Sequence, residues 1–208
     1  MIFFLQLKEK KNDGNKFVAQ SFKKKASLAV VNKIQNKINR GRQIKVKNTL
    51  KFLTYISKVF RRNIDTKVIA ITGSCGKTTL KELLGNVLSK ISKVSISPKS
   101  YNNKFGVPLS LFNLKQNDEF GILEVGMDKK GEIDYLSKII EPNVGVITNI
   151  NYAHAKNFKN IKQIALAKSE IINNIRPNGF VVLNADDSFF ELHKKIAYKK
   201  NLKVISFG

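Results

Sequence analysis

The run Gly73-Ser74-Cys75-Gly76-Lys77-Thr78-Thr79 directly follows the apolar stretch Val68-Ile69-Ala70-Ile71-Thr72 and opens an amphipathic pattern. Strand, glycine loop and helix in that order make an anion cradle. Glycines at 73 and 76 permit backbone angles and a close approach that a Cβ forbids. Backbone N–H groups and the positive end of the helix dipole then face the anion. Lys77 can reach β- and γ-phosphates, and the Thr78 hydroxyl can ligate Mg²⁺. The spacing is the short TGxxGKT form, because the residue five before Gly76 is Ile71. A tight strand-to-helix turn would explain the glycines but not the Gly-Lys-Thr order. Residues 73–79 are therefore expected to bind a nucleotide triphosphate, with Cys75 a loop thiol of ordinary reactivity.

Three further side chains could do chemistry. Lys168 stands out on physics alone: Ile161, Ile164, Ile171, Ile172 and Ile175 make the apolar face of a helical pattern, and Lys168 falls on it. A cation there is costly, so its pKa should fall and its amine become nucleophilic. Snorkelling of the stem to the helix edge is the other reading. Glu124 lies near the end of an apolar run, two residues before a glycine. A carboxylate at a strand's carboxyl end can face a bound metal nucleotide; an ordinary exposed glutamate is the alternative. His154, one of two histidines, follows the run 144–148 and taken alone reads as a surface residue.

The elements that must position these residues alternate regularly from residue 67 onward. Strands are expected at 68–72, 94–97, 120–125, 144–148, 180–184 and 204–207, with helices at 78–90, 132–140, 161–175 and 188–199. Such alternation predicts an α/β fold, a mostly parallel sheet with helices on both faces and ligands at the carboxyl ends of the strands. Residues 1–62 have a different texture. Strand-like 2–7, helical 16–25 and strand-like 27–31 suggest a small β-α-β piece, followed by a basic stretch at 32–42 and a helix at 50–60.

Bulk composition excludes several classes. Hydrophobic residues make up 42%, enough for a core, and no apolar stretch is long enough to span a membrane. The apolar start ends at Gln6 and Lys8, too early for a signal peptide, so the cytoplasm is the default compartment. One cysteine permits no internal disulfide. The net charge of +23 invites a nucleic-acid reading. However, the lysines are scattered, and neither a ribonucleoprotein-type motif nor zinc-finger spacing accompanies them. The charge is read as a solvated basic surface that attracts anionic nucleotides, with no specific nucleic-acid partner.

At the glycine loop the sequence begins to resemble the Mur ligase family, whose central domain opens with TGxxGKT[ST]. Later segments match in the family's order: Tyr101-Asn102-Asn103-Lys104-Phe105-Gly106-Val107-Pro108-Leu109, Glu124-Val125-Gly126-Met127 with Gly131-Glu132-Ile133, Thr148-Asn149 with His154, Ala167-Lys168-Ser169-Glu170-Ile171, and Leu183-Asn184-Ala185-Asp186-Asp187. The asparagine pair with GVP is similar to the branch of the family that adds D-alanyl-D-alanine; sister ligases and folylpolyglutamate synthetase share the loop but not this segment. Asn12-Asp13-Gly14-Asn15-Lys16-Phe17 is similar to a DGH-x-F segment of the family's UDP-sugar-binding domain, with Asn15 for the histidine and Glu9 where glycine is usual. Asn151 and Ala155 likewise replace a common glycine and leucine.

The resemblance implies an ATP-dependent carboxylate–amine ligase of peptidoglycan precursor synthesis, with UDP-N-acetylmuramoyl-tripeptide and D-alanyl-D-alanine as substrates and an acyl phosphate between them. Gly73 to Thr79, Asn102 and Asn103 would hold ATP. Thr78, Glu124, His154 and a carbamylated Lys168 would hold Mg²⁺, and Lys77, Glu124, His154 and Lys168 would be catalytic. Asp186 and Asp187 are read only as the cap of the next helix. The implied domains are a partial UDP-sugar-binding domain at 1–62 and an ATP-binding central domain at 63–208. Because family members run longer at both ends, a fragment is expected, inactive in ligation unless a C-terminal domain is supplied elsewhere. Another Mur-type amino-acid ligase and a nucleotide-binding remnant without ligase activity are the rival readings.

Overall fold

The computed structural model describes residues 3–7, 13–152 and 157–208. The chain forms two compact units, Met1–Ile56 and Ser57–Gly208. In the first, β1 (Phe3–Leu5), α1 (Val18–Lys23), β2 (Leu28–Val31) and β3 (Gln43–Lys45) follow one another, and the strands form a parallel sheet in the order β1-β2-β3. Val18, Ala29 and Val31 make its small core, with Phe4, Phe22, Ile34 and Ile38 packed around them. The β-α-β reading holds, but β3 was not expected. Its single large apolar residue sits among Arg42, Lys45 and Lys47. The strand is fixed by pairing to β2 and by the Gln43 amide, which accepts from Gln35 N at 2.9 Å and donates to Gln35 O at 3.1 Å. The division between units falls within α2 (Thr49–Arg62), the helix expected at 50–60.

The second unit contains β4 (Lys67–Thr72), α3 (Lys77–Leu88), β5 (Val94–Ile96), α4 (Gly106–Phe112), β6 (Phe120–Glu124), α5 (Glu132–Ile140), β7 (Val144–Ile147), α6 (Ile161–Ser169), β8 (Phe180–Asn184), α7 (Phe190–Tyr198) and β9 (Lys203–Phe207). The strands form one six-stranded sheet, β5-β6-β4-β7-β8-β9, and every pairing is parallel. Successive residues of β4 point to opposite faces: Val68 and Ala70 join the core beneath α4, α5, α6 and α7, whereas Ile69 and Ile71 pack toward α3. Burial on both sides is why the strands read as continuous apolar runs. The chain winds outward from β4 to β5, returns through β6, and then passes to β7 on the other side of β4. That reversal creates a crevice at the carboxyl end of β4, where ligands bind in such sheets.

Two helices differ from expectation. α4 was not foreseen because Pro108 reads as a breaker. Pro108 is the third residue of the helix, where its missing N–H has no intrahelical partner to lose. The helix expected at 161–175 ends at Ser169 and continues as a 3₁₀ segment, Glu170–Asn174. No helix of the described residues is long and apolar enough to cross a membrane.

Candidate nucleotide-binding site

The crevice at the end of β4 is built first from the glycine loop. Gly73 has φ of +150°, and a Cβ there would lie 1.8 Å from Thr148 Oγ1. Gly76 meets no such obstacle, but its φ of +78° is a left-handed conformation that glycine adopts freely. The segment after β7 holds the loop from the side. Thr148 Oγ1 donates to Cys75 O at 2.6 Å, and Asn149 accepts from Ser74 N through its carbonyl and from Cys75 N through Oδ1, both at 2.9 Å. The Ser74 hydroxyl donates to Asn151 O and accepts from Asn151 N. The N–H groups of Ser74 and Cys75 are thus turned to Asn149. The first turn of α3, Lys77 to Thr79, carries the N–H groups with no intrahelical acceptor, which leaves them available to an anion. Lys77 Nζ donates to Gly73 O at 2.9 Å, folded over the loop it would serve.

Glu124, at the end of β6, is 2% exposed, and its two carboxylate oxygens are both engaged. Oε2 accepts from Thr78 Oγ1 at 2.6 Å, and Oε1 accepts from Asn102 Nδ2 at 2.7 Å. The structure therefore brings Thr78, Glu124 and Asn102 together. Asn103 does different work: its Oδ1 accepts from Phe105 N and Gly106 N and so starts α4. Thr78 and Glu124 present two hard oxygens at one point, and no group of three or more His, Cys, Asp or Glu side chains collects among the described residues. Few protein oxygens with room for waters and phosphate oxygens is the donor chemistry that suits Mg²⁺. His154 lies outside the described residues.

Lys168, in the last turn of α6, is 3% exposed, as its place on the apolar stripe predicts. Burial first, and the Lys77 ammonium second, push its pKa down from 10.5 to about 8, opposed weakly by Cys75. Lys168 thus belongs electrostatically with Lys77 and Cys75. The next acidic residue, Glu170, accepts from Gly131 N and Asp134 N and caps α5. Burial pushes the pKa of its carboxyl group up. Neither Asp186 nor Asp187 caps α7, whose cap position is Phe189 without a side-chain bond. Asp187 Oδ1 instead accepts from Phe189 N in the turn before the helix, while Oδ2 accepts from Ile150 N at 2.6 Å and anchors the segment that holds the loop. Neither tie had a signal beyond the shared motif segments. An open apolar groove of about 610 Å³ leads from Gly76 and Thr79 past Leu80 and Leu83 to Val182 and Phe207.

The Mur ligase middle domain model matches residues 71–208, from the end of β4 through the glycine loop to the last strand. The chain belongs to the Mur ligase family. As a Mur ligase it is 36% identical over 203 residues to the UDP-N-acetylmuramoyl-tripeptide–D-alanyl-D-alanine ligase of Buchnera aphidicola from Acyrthosiphon pisum, a match covering 98% of this chain and 44% of that protein. Among solved structures it resembles MurF from Acinetobacter baumannii, with a TM-score of 0.90 and 36% identity, covering 99% of this chain and 45% of that one. It also resembles the MurF ligase of Thermotoga maritima in complex with ADP, with a TM-score of 0.87 and 29% identity, covering 99% and 47%. The chain thus spans less than half the length of these Mur ligases.

Proposed function

We propose that this chain supplies the nucleotide-binding part of an ATP-dependent ligase that joins D-alanyl-D-alanine to UDP-N-acetylmuramoyl-tripeptide. The observation that carries this reading is the contact of Asn102 with Glu124, and of Glu124 with Thr78. It ties the segment particular to the D-alanyl-D-alanine-adding branch to the helix that opens the phosphate loop. The identity to ligases of that name supports the same substrates.

In this reading a tripeptide carboxylate oxygen attacks the γ-phosphorus of ATP, ADP leaves, and an acyl phosphate forms. The amine of D-alanyl-D-alanine then adds to the carbonyl carbon, phosphate departs, the nitrogen loses a proton, and an amide remains. Lys77 and the first-turn N–H groups of α3 hold the β- and γ-phosphates and neutralise charge as the phosphoryl group moves. The apolar groove beside Thr79 gives the nucleotide's base a wall. Thr78 and Glu124 are the residues that would hold Mg²⁺, with His154 proposed from sequence alone; the ion supplies further neutralisation of phosphate charge. With a pKa of about 8, Lys168 is uncharged in about a tenth of molecules at pH 7. That fraction is the form to which CO₂ would add with loss of a proton, leaving at Lys168 a carbamate whose oxygens would be a further ligand for Mg²⁺. Residues 1–62 are proposed as part of a UDP-sugar-binding domain, and 63–208 as the ATP-binding domain.

The test is mass spectrometry of this chain incubated with Mg-ATP, UDP-N-acetylmuramoyl-tripeptide and D-alanyl-D-alanine, with and without a C-terminal domain supplied from a relative. Amide product that requires D-alanyl-D-alanine and is lost in Lys77→Ala is the expected result. Product formed equally well with single amino acids would assign the chain to a sister ligase.

A further inference from the structure

A second buried lysine takes no part in the reading above. Lys81 lies one turn beyond Lys77 on α3 and is 0% exposed. Burying an ammonium is expensive, and a methionine of similar length is often as stable or more so. What Lys81 holds therefore matters. Its Nζ donates to Ser97 O at 2.8 Å and to Lys99 O at 2.5 Å, and it lies 3.1 Å from the Glu82 carboxylate. Lys99 sits at φ of +46°, a strained conformation for a residue with a side chain. The turn it belongs to continues through Tyr101 N to Pro98 O and Asn102 N to Ser100 O, and it delivers Asn102 to Glu124. The same turn meets Glu124 once more, because Ser97 Oγ accepts from Glu124 N at 3.3 Å.

Thr78 and Lys81 stand three residues apart, on one face of α3. One touches the Glu124 carboxylate directly, and the other clamps the turn that presents Asn102 to its second oxygen. We infer that Lys81 is a positioning residue: it fixes the 97–102 turn against α3, so that Asn102 orients the Glu124 carboxylate toward Thr78 and the metal end of the nucleotide. The inference rests on the nucleotide reading and concerns how its metal dependence is set. Outer partners that orient a metal ligand typically change metal affinity about 10- to 100-fold when removed.

The experiment is calorimetric titration of ATP into the full chain, with Mg²⁺ and with chelator, for the wild type, Lys81→Met, Asn102→Ala and the double variant. The Mg²⁺-dependent gain in affinity should fall about tenfold or more in Lys81→Met while metal-free affinity stays near the wild-type value. In the Asn102→Ala background the same substitution should cost nothing further, because both act through one carboxylate. A purely structural lysine would lower the unfolding temperature and leave the metal-dependent gain intact; that result overturns the inference. Full additivity of the two substitutions overturns it as well. Should Lys81→Met fail to fold, Lys81→Gln replaces it, and a folded glutamine variant with the wild-type gain is equally fatal. A wild-type chain that binds no nucleotide overturns the nucleotide reading and this inference together, whereas wild-type binding with an unchanged gain in the variants overturns only the role of Lys81.

Discussion

Replacing Lys168 by methionine separates a packing lysine from one kept for its chemistry. The pKa falls from 10.5 to about 8, with burial the main cause and Lys77 the second. At about 1.4 kcal/mol per unit, that drop corresponds to about 3 kcal/mol of unfavourable interaction for the charged form in the folded state. The unfolded lysine has an ordinary pKa, so between pH 8 and 10.5 the unfolded chain binds the proton and the folded chain does not. Stability contributed by this group therefore rises with pH through that window, and its cost is fully present below it. Methionine fills a similar volume without the charge. Lys168→Met should thus be more stable than the wild type at pH 7, by up to about 3 kcal/mol less any packing loss, and the difference should shrink as pH rises from 8 toward 10. Urea denaturation of both proteins at intervals from pH 7 to 10, in CO₂-free buffer, measures the gap. A gap that stays flat or widens would refute the depressed pKa. Adding ¹³C-bicarbonate to the wild type should produce a carbamate carbon resonance that Lys168→Met lacks.

Four other substitutions probe the site and its supports. Lys77→Ala should abolish Mg-ATP binding in a titration while the circular dichroism spectrum persists, because its Nζ donates to Gly73 O within the same loop and not to a distant element of the fold. Glu124→Gln should reduce the Mg²⁺-dependent gain in nucleotide affinity about tenfold or more, with metal-free nucleotide bound as before. Gly73→Ala places a Cβ 1.8 Å from Thr148 Oγ1. It should lower stability by about 2 kcal/mol and weaken nucleotide binding, read by thermal unfolding with and without ATP. Glu170→Ala removes the acceptor for Gly131 N and Asp134 N; a loss of about 1–2 kcal/mol in chemical denaturation is expected, with nucleotide affinity unchanged.

The sheet was legible in the sequence because its strands are buried on both faces, and an apolar run flanked by polar turns has few other uses. β4 shows why the signal is strong: Val68 and Ala70 serve one core while Ile69 and Ile71 serve the other. The 3.6-residue period marked α3, α5 and α7 for the opposite reason, since each buries one stripe only. Elements were missed where a local signal pointed elsewhere. Pro108 hides α4, and the lysines and arginines around Ile44 hide β3. α6 was read as too long because Ile171, Ile172 and Ile175 continue the apolar period through the 3₁₀ segment, although Glu170 there turns to the start of α5.

The site divides along a similar line. The loop could be read because its glycines, lysine and threonines stand together in one short segment between a strand and a helix. Ties that reach across the fold could not, and acidic residues show it clearly. Glu124 announces itself by ending a strand, whereas Glu170 caps residues 39 and 36 positions away and gives no local sign of it. The two buried lysines make the same contrast with opposite consequences. Lys168 is visible because it interrupts an isoleucine stripe, and an apolar wall is what lowers its pKa. Lys81 is invisible because, apart from the neighbouring Glu82, its partners are backbone carbonyls brought by the turn after β5, and backbone leaves no trace in residue type. The legibility of a buried charge thus follows from what surrounds it. An apolar environment both advertises the group and lowers its pKa, while a polar one conceals it and employs it as a clamp.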